Sequence, residues 1–267
     1  MGHGGTLTRR DGIPEYAARL VAGRFAALAF DYRHWGDSDG EPRRWVSIRR
    51  QLEDWRAAVG YARGLAGVDP DRIALWGMSL GGGHALMTAA QDSRIAATIA
   101  LVPLVDGLAQ LRRTSTPKVR LAMTLRALRG ALMRSSVVVP VAGPAKSFAV
   151  LAAHEALPGF ERLASASGWR NEVDLTGVLR GFARYQPVRQ ATRIQSPVLI
   201  QLAEHDELTS LGAIEKTAAR ARRAELVRYP LDHFGCFWPE HIGRVAGDQL
   251  DFLRRHLCTA NAASGVG

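Results

Sequence analysis

The chain has 267 residues, a formal net charge of +10, two cysteines and a hydrophobic fraction of 47%. This composition suits one globular domain with a sizeable core. It excludes a membrane-spanning helix, because no uninterrupted run of about 18 apolar residues occurs. Two cysteines are too few for a disulfide scaffold or a zinc cluster, so we expect no metal and no cofactor. The first residues lack the charged-then-apolar pattern of a secretion signal, and we therefore expect a cytoplasmic protein.

The first third of the chain predicts two strands around an amphipathic helix. Ala26–Phe30 and Ile73–Trp76 are short apolar runs of strand length. Between them, residues 31–64 predict a strand end, a loop and a helix. The apolar residues of that helix recur at helical spacing: Ile48, Leu52, Trp55 and Val59.

The second strand leads into the most informative segment, Gly77-Met78-Ser79-Leu80-Gly81. This is G-x-S-x-G between a strand and a helix-compatible segment, His84–Ala90, which is the setting in which the motif presents a nucleophilic serine. The two glycines remove Cβ atoms that would clash in so tight a turn. The alternative is a glycine-rich turn with an incidental serine. A dinucleotide-binding loop does not fit, because Ser79 takes the place of the second glycine in G-x-G-x-x-G.

A long interval separates the next two strands. Ala96–Val102 is an apolar run and Pro197 begins the following one, which is too distant for an ordinary βα connection. We therefore predict that residues 107–190 form a helical cap inserted over the site. Its expected pieces are Lys118–Met133, an apolar stretch over Val137–Ala153 that Pro140 and Pro144 interrupt, and Gly177–Tyr185.

The start of this insertion is strongly basic. Gly107 to His154 contains no Asp or Glu but eight basic residues: Arg112, Arg113, Lys118, Arg120, Arg126, Arg129, Arg134 and Lys146. Two interpretations stay open: a solvated arginine-rich face, or a region that attracts an anionic substrate or a membrane surface to the mouth of the site. Nucleic-acid binding is not expected, because no recognition motif accompanies the charge.

The last two predicted strands each end in polar residues that complete a catalytic set. Pro197–Ala203 is followed by Glu204-His205-Asp206-Glu207, and Ala224–Tyr229 is followed by Pro230-Leu231-Asp232-His233. In an open α/β sheet, residues after the carboxyl ends of the strands meet at one edge. A serine nucleophile needs a base, and the base needs an orienting carboxylate. We assign Ser79 as the nucleophile, Asp206 as the acid and His233 as the base.

Other residues compete for these roles. Glu204 and Glu207 are alternatives for the acid, and His205 is an alternative for the base. His84, one turn into the helix after the serine, is expected to pack beneath the site. Asp232 is expected to be solvated, because adjacent side chains in an extended loop rarely face each other.

Several segments carry a family resemblance, in this order along the chain: residues 1–4, 29–38, 76–84, 102–107 and 229–234. On these segments, residues 3–257 resemble the α/β-hydrolase superfamily, in the group related to dienelactone hydrolases and the catalytic domain of X-Pro dipeptidyl peptidases. The resemblance implies an α/β fold with a mostly parallel, doubly wound sheet. The core would consist of residues 1–106 and 191–258, and residues 259–267 are expected to form a disordered tail.

The resemblance also implies an oxyanion hole made by two backbone N–H groups, those of Leu80 and Gly5. In such enzymes a His-Gly motif, here His3-Gly4, follows the third strand of the sheet. We therefore expect strands 1–3 to be missing, either because the true start lies upstream or because the sheet is incomplete.

Together these features predict a serine hydrolase that cleaves a carboxylic ester or thioester of a small-molecule substrate through an acyl-enzyme. Two alternatives remain open. One is an amidase or peptidase with the same triad, and the other is a catalytically silent binding protein with this fold.

Overall fold

The computed structural model describes residues 1–165, 167–179 and 181–258. Its α-helices are α1 (Ile13–Ala22), α2 (Ile48–Arg63), α3 (Leu80–Ala89), α4 (Gly107–Thr114), α5 (Pro117–Met133), α6 (Ala156–Leu163), α7 (Leu175–Leu179), α8 (Pro187–Gln190), α9 (Leu211–Arg220) and α10 (Pro239–Leu253). Its strands are β1 (Ala74–Met78), β2 (Ala97–Leu101), β3 (Val138–Val139), β4 (Ala142–Gly143), β5 (Leu151–Ala152), β6 (Val173–Asp174), β7 (Val198–Ala203) and β8 (Ala224–Tyr229). Short 3₁₀ turns cover Phe182–Arg184, Ala191–Arg193 and Gly235–Phe237, and a π-helical turn covers Arg254–Cys258.

Four parallel strands form the central sheet, in the order β1-β2-β7-β8. Thr98 of β2 lies opposite Leu75 of β1 and Val198 of β7. Every residue of β2 and β7 is buried, as expected for apolar strands that helices cover on both faces. The predicted α/β fold with a mostly parallel sheet is therefore confirmed.

Two groups of helices pack against this sheet. Helix α3 packs on β1 and β2, and α9 packs on β7 and β8, while α10 packs on β7 and contacts α1. The predicted amphipathic helix is α2, which packs on α3 and buries Leu52, Trp55 and Val59. Among the helices of the described residues, none combines the length and the hydropathy that a membrane crossing needs.

The N-terminal residues lie beside β1. Gly2 forms parallel bridges to both Phe30 and Gly77. The prediction of a strand over Ala26–Phe30 is wrong, because only Phe30 of this segment enters a ladder. A strand needs a run of ladder partners for its backbone groups. In the described part of the chain, Phe30 has a single bridge partner, Gly2. Next to these residues, a groove of about 440 Å³ is lined by β1 and by residues 24–28.

Residues 107–190, which we predict to form a helical cap, are mixed in secondary structure. They contain α4 to α8, but also an antiparallel pair, β3 with β6, and a parallel pair, β4 with β5. The apolar stretch that Pro140 and Pro144 interrupt therefore forms two-residue strands instead of a helix. The domain boundaries at 106 and 191 stay predictions, and the predicted tail, residues 259–267, lies outside the described residues.

Candidate active site

Ser79 lies at the sharp turn between β1 and α3, with φ 53° and ψ −120°. Residues with a side chain rarely adopt a positive φ. The turn is held by the Ser79 N–H, which donates to the Leu101 carbonyl over 2.9 Å, and by the Leu104 N–H, which donates to the Ser79 carbonyl over 2.9 Å. Backbone strain that the surrounding hydrogen bonds maintain, as at Ser79, is a feature of functional sites.

The glycines on either side of Ser79 are required by close backbone approach. A Cβ at Gly77 would overlap the backbone of Gly81. A Cβ at Gly81 would overlap the carbonyl oxygens of Gly2 and His3. The G-x-S-x-G pattern is therefore explained by two contacts, one within the turn and one with the N-terminal segment.

That N-terminal segment runs against the start of α3. A Cβ placed at Gly4 would lie 3.6 Å from the Ser79 Cβ, and one placed at Gly5 would lie 3.3 Å from the Leu80 Cδ2. The Leu80 N–H is among the first N–H groups of the helix, which have no intrahelical partner. The structure thus places Gly4 against Ser79 and Gly5 against Leu80; Gly5 and Leu80 are the two residues expected to supply the oxyanion hole.

His233 and Asp206 form a hydrogen bond in which His233 Nδ1 lies 2.7 Å from Asp206 Oδ2. Both residues are buried. Asp206 Oδ1 accepts from the N–H groups of Leu208 (2.7 Å) and Thr209 (2.8 Å), and Thr209 Oγ1 donates to Oδ2 over 2.7 Å. These contacts fix the carboxylate and hence the imidazole, so that His233 Nε2 is the ring nitrogen left for a further partner.

The alternatives weighed for the acid and the base lie elsewhere. Glu204 and His205 are exposed, and so is Asp232, whose carboxylate accepts from the Gly235 N–H over 2.6 Å. Glu207 is half-buried, and its carboxylate faces the backbone of residue 154. The structure therefore pairs His233 with Asp206 and with none of the alternatives for the acid.

The protonation of the pair follows from its surroundings. Burial alone would raise the pKa of Asp206, but the charge of His233 and hydrogen bonds from His233 and Thr209 outweigh it and lower that pKa. Burial also opposes the charged form of His233, but the charge and hydrogen bond of Asp206, with the charges of Glu155 and Asp232, raise its pKa above the ordinary 6.5. An ionised carboxylate beside a basic imidazole is suited to removing a proton from a hydroxyl.

Sequence reasoning missed Glu155, which directly precedes α6. Its Oε1 accepts from the Glu207 N–H over 2.5 Å, and its Oε2 accepts from the His233 N–H over 2.8 Å. In return, Glu207 Oε2 accepts from the His154 N–H over 2.9 Å. One carboxylate thus joins the loop of Asp206 to the loop of His233, and burial raises its pKa. No local pattern marks it, because its partners are 52 and 78 residues away along the chain.

His84 packs beneath the site, as expected. Its Nε2 lies 3.0 Å from Gln51 Oε1, and its Nδ1 lies 2.9 Å from the Tyr185 hydroxyl. Burial lowers the pKa of His84 to about 3. The imidazole is therefore neutral and links α2, α3 and residue 185 under the turn that carries Ser79.

A cavity of about 60 Å³ lies beside Ser79 and is lined also by His233, Leu80 and Gly5. Its remaining walls are nearly all apolar. Residues outside the predicted cap and residues within it both contribute: Leu7, Met78, Leu208 and Phe234 lie outside, and Val141, Val150, Phe160, Val178 and Phe182 lie within. Among the described residues that line the cavity, none is Asp, Glu, Lys or Arg. The site therefore offers one polar wall and a surrounding apolar surface.

Comparisons with known proteins give the family of the chain. The family model described as "Serine aminopeptidase, S33" matches residues 5–231. The quorum-quenching protein AidA of Acinetobacter baumannii (strain MDR-ZJ06) is 39% identical over 260 residues, which cover 96% of this chain and 85% of AidA. The thiohydrolase aneE of Aspergillus aculeatus is 35% identical over 119 residues, which cover 45% of this chain and 37% of aneE.

A solved structure agrees in fold. The crystal structure of the alpha/beta hydrolase GrgF from Penicillium sp. sh18 matches with a TM-score of 0.82 at 24% identity, over 97% of this chain and 89% of that one. The family model and the AidA relative, together with this agreement in fold, confirm the predictions of the α/β-hydrolase superfamily and of an enzyme. The narrower relation to dienelactone hydrolases and X-Pro dipeptidyl peptidases stays a prediction. The chain is an enzyme of the α/β-hydrolase type and belongs to the serine aminopeptidase S33 family.

Proposed function

We propose that this enzyme hydrolyses carboxylic esters or thioesters of apolar acyl groups, with Ser79 as nucleophile, His233 as base and Asp206 as the orienting acid. The observation that carries the proposal is that His233, which is hydrogen-bonded to Asp206, lines the same apolar cavity as the strained Ser79. The thiohydrolase among the relatives supports thioester chemistry in particular.

In the first half of the reaction, His233 Nε2 takes the proton of Ser79 Oγ as Oγ bonds to the acyl carbon. The carbonyl electron pair moves onto its oxygen, where the N–H groups of Leu80 and Gly5 stabilise the negative charge. When the carbonyl re-forms, the bond to the alcohol or thiol breaks and that group takes the proton from His233. The acyl group is then esterified to Ser79.

In the second half, a water molecule repeats the attack on the acyl carbon and His233 takes its proton. The same two N–H groups hold the oxyanion. The bond from the acyl carbon to Ser79 Oγ then breaks, Oγ recovers the proton from His233, and a carboxylic acid leaves. The enzyme returns to its starting state with one water consumed.

The lining of the cavity selects the acyl group. Valine, leucine and phenylalanine side chains bind a hydrocarbon chain through burial of apolar surface. An aminopeptidase substrate instead brings a charged ammonium close to the scissile bond, and that charge needs a carboxylate partner when buried. The described residues that line this cavity supply none, so an uncharged acyl group fits better than an amino-acyl group.

Hydrolysis of matched substrates tests the proposal. We expect measurable turnover of p-nitrophenyl esters of straight-chain acids and of the corresponding acyl thioesters, with none of amino-acyl p-nitroanilides. Ser79→Ala, which deletes only the nucleophile's hydroxyl, is the control for background hydrolysis. Turnover confined to amino-acyl anilides would contradict the proposed substrate class, and equal turnover by Ser79→Ala would contradict the proposed mechanism.

A cytoplasmic location belongs to the same proposal. Cys236 and Cys258 are both free thiols, and free thiols are the usual state in a reducing compartment. Fractionation of cells that make the protein tests this, with recovery in the cytoplasmic fraction as the expected result.

A further inference from the structure

Helix α5 exposes a row of leucines on its outer face. The side chains are Leu121 (61% exposed), Leu125 (58%), Leu128 (62%) and Leu132 (86%), which we call the leucine stripe. Their spacing of four, three and four residues places them on one side of a helix. The buried residues of α5, Met123, Ala127 and Gly130, lie on the opposite side. The stripe therefore points away from the protein.

The helix is well defined locally. Thr116 caps its N-terminus by accepting from the Val119 N–H over 3.3 Å, and Pro117 occupies its first turn. Its 17 residues make it about 25 Å long. Four exposed leucines along that length form a contiguous apolar surface, which a water-exposed helix of a monomer seldom has.

Within residues 107–154, the segment that contains the leucine stripe, the charged side chains are all basic. Lys118, Arg126, Arg129 and Arg134 are exposed on or directly after α5, and residues 107–154 contain no Asp or Glu. None of the ion pairs among the described residues involves a basic residue of this segment. The helix thus combines an apolar row with unneutralised basic residues.

We propose that the leucine stripe docks this enzyme on the surface of an anionic lipid bilayer. A helix that lies in the interface buries its apolar row among the acyl chains, and its basic residues contact the anionic headgroups. A second copy of the chain fits less well, because stripe-to-stripe pairing would bring the same basic residues together with no carboxylate from this segment to neutralise them. Docking through the leucine stripe does not require the proposed catalytic chemistry.

Vesicle sedimentation tests the docking surface. The full chain is mixed with vesicles of phosphatidylcholine alone, or of phosphatidylcholine and phosphatidylglycerol at about 3:1, and the bound fraction is measured at about 0.1 M and 0.5 M salt. We expect binding to the anionic vesicles only, and weaker binding at the higher salt. No binding to either vesicle, or equal binding to both, would overturn the proposal.

Variants separate the two contributions. Leu125→Ser/Leu128→Ser should lower the partition coefficient by at least about tenfold, and Lys118→Gln/Arg129→Gln should lower it and weaken its salt dependence. The matched control is Tyr61→Ser, which removes another exposed side chain (63%) outside α5 and should bind like the unaltered chain. Unchanged binding by the leucine variant would overturn the proposal. So would a dimer, detected by light scattering, that the leucine variant converts to a monomer, because the stripe would then be occupied by a second copy.

Discussion

Asp206→Asn tests the role of the proposed acid, because the structure dictates how the new amide must lie. Asp206 Oδ1 accepts from two backbone N–H groups, those of Leu208 and Thr209, so the amide oxygen has to take that place. The amide nitrogen then replaces Oδ2 and faces Thr209 Oγ1 and His233 Nδ1. The Thr209 hydroxyl can rotate and accept, so we expect the fold to be retained.

The imidazole can meet this amide only by changing tautomer. An N–H directed at His233 Nδ1 requires that nitrogen to accept, so the imidazole proton moves to Nε2. Nε2 can then no longer take the proton of Ser79. We expect kcat to fall by about 10⁴, which corresponds to about 5.4 kcal/mol of lost transition-state stabilisation.

The assay is steady-state hydrolysis of a p-nitrophenyl ester, with thermal unfolding measured in parallel to confirm the fold. Glu204→Gln is the matched control, since Glu204 follows the same strand but is exposed, and we expect it to keep its kcat. An Asp206→Asn enzyme whose kcat stays within about tenfold of the original would show that Asp206 does not set the tautomer of His233. A loss of activity confined to Glu204→Gln would assign the acid to that residue instead.

Three further predictions concern the surroundings of the His233–Asp206 pair and of the turn at Ser79. The value of kcat/KM should fall on the acid side with a midpoint above pH 6.5, because His233 must be neutral to act as a base and its pKa is raised. Glu155→Gln removes one charge that raises the pKa of His233, so the midpoint should move to lower pH. An unchanged midpoint would show that Glu155 has a purely structural role. Gly81→Ala should lower kcat by about 10²–10³, because its Cβ displaces Gly2 and His3 and with them the Gly5 N–H. Gly243→Ala, with open space around its Cβ, should not change kcat, and equal kcat for both variants would count against the oxyanion assignment.

Much of the sheet can be predicted from the sequence, because a strand buried on both faces has to be an apolar run of strand length. The runs Ala96–Val102 and Pro197–Ala203 differ from β2 and β7 by at most one residue at each end, and Ala224–Tyr229 coincides with β8. The turn at Ser79 is equally local, since its glycines and its flanking elements all lie within a few residues.

Features that depend on distant partners are not predictable in this way. Ala26–Phe30 has the composition of a strand, but whether it forms one depends on a neighbouring strand and not on its own residues. Helix α1, for which we make no prediction, packs on α10 near the other end of the chain. Glu155 accepts hydrogen bonds from two loops far along the sequence, and nothing in its local pattern distinguishes it from a solvated glutamate.

The most direct test of the central proposal is the mass of the covalent adduct formed with a fluorophosphonate. After reaction with the intact enzyme, digestion and mass spectrometry identify the residue that carries the phosphonyl group. We expect one adduct, on the peptide that contains Ser79, formed in parallel with the loss of ester hydrolysis. Ser79→Ala should form no adduct and show no hydrolysis above background. An adduct on any other residue, or full hydrolysis by a folded Ser79→Ala enzyme, would contradict the assignment of Ser79 as the nucleophile.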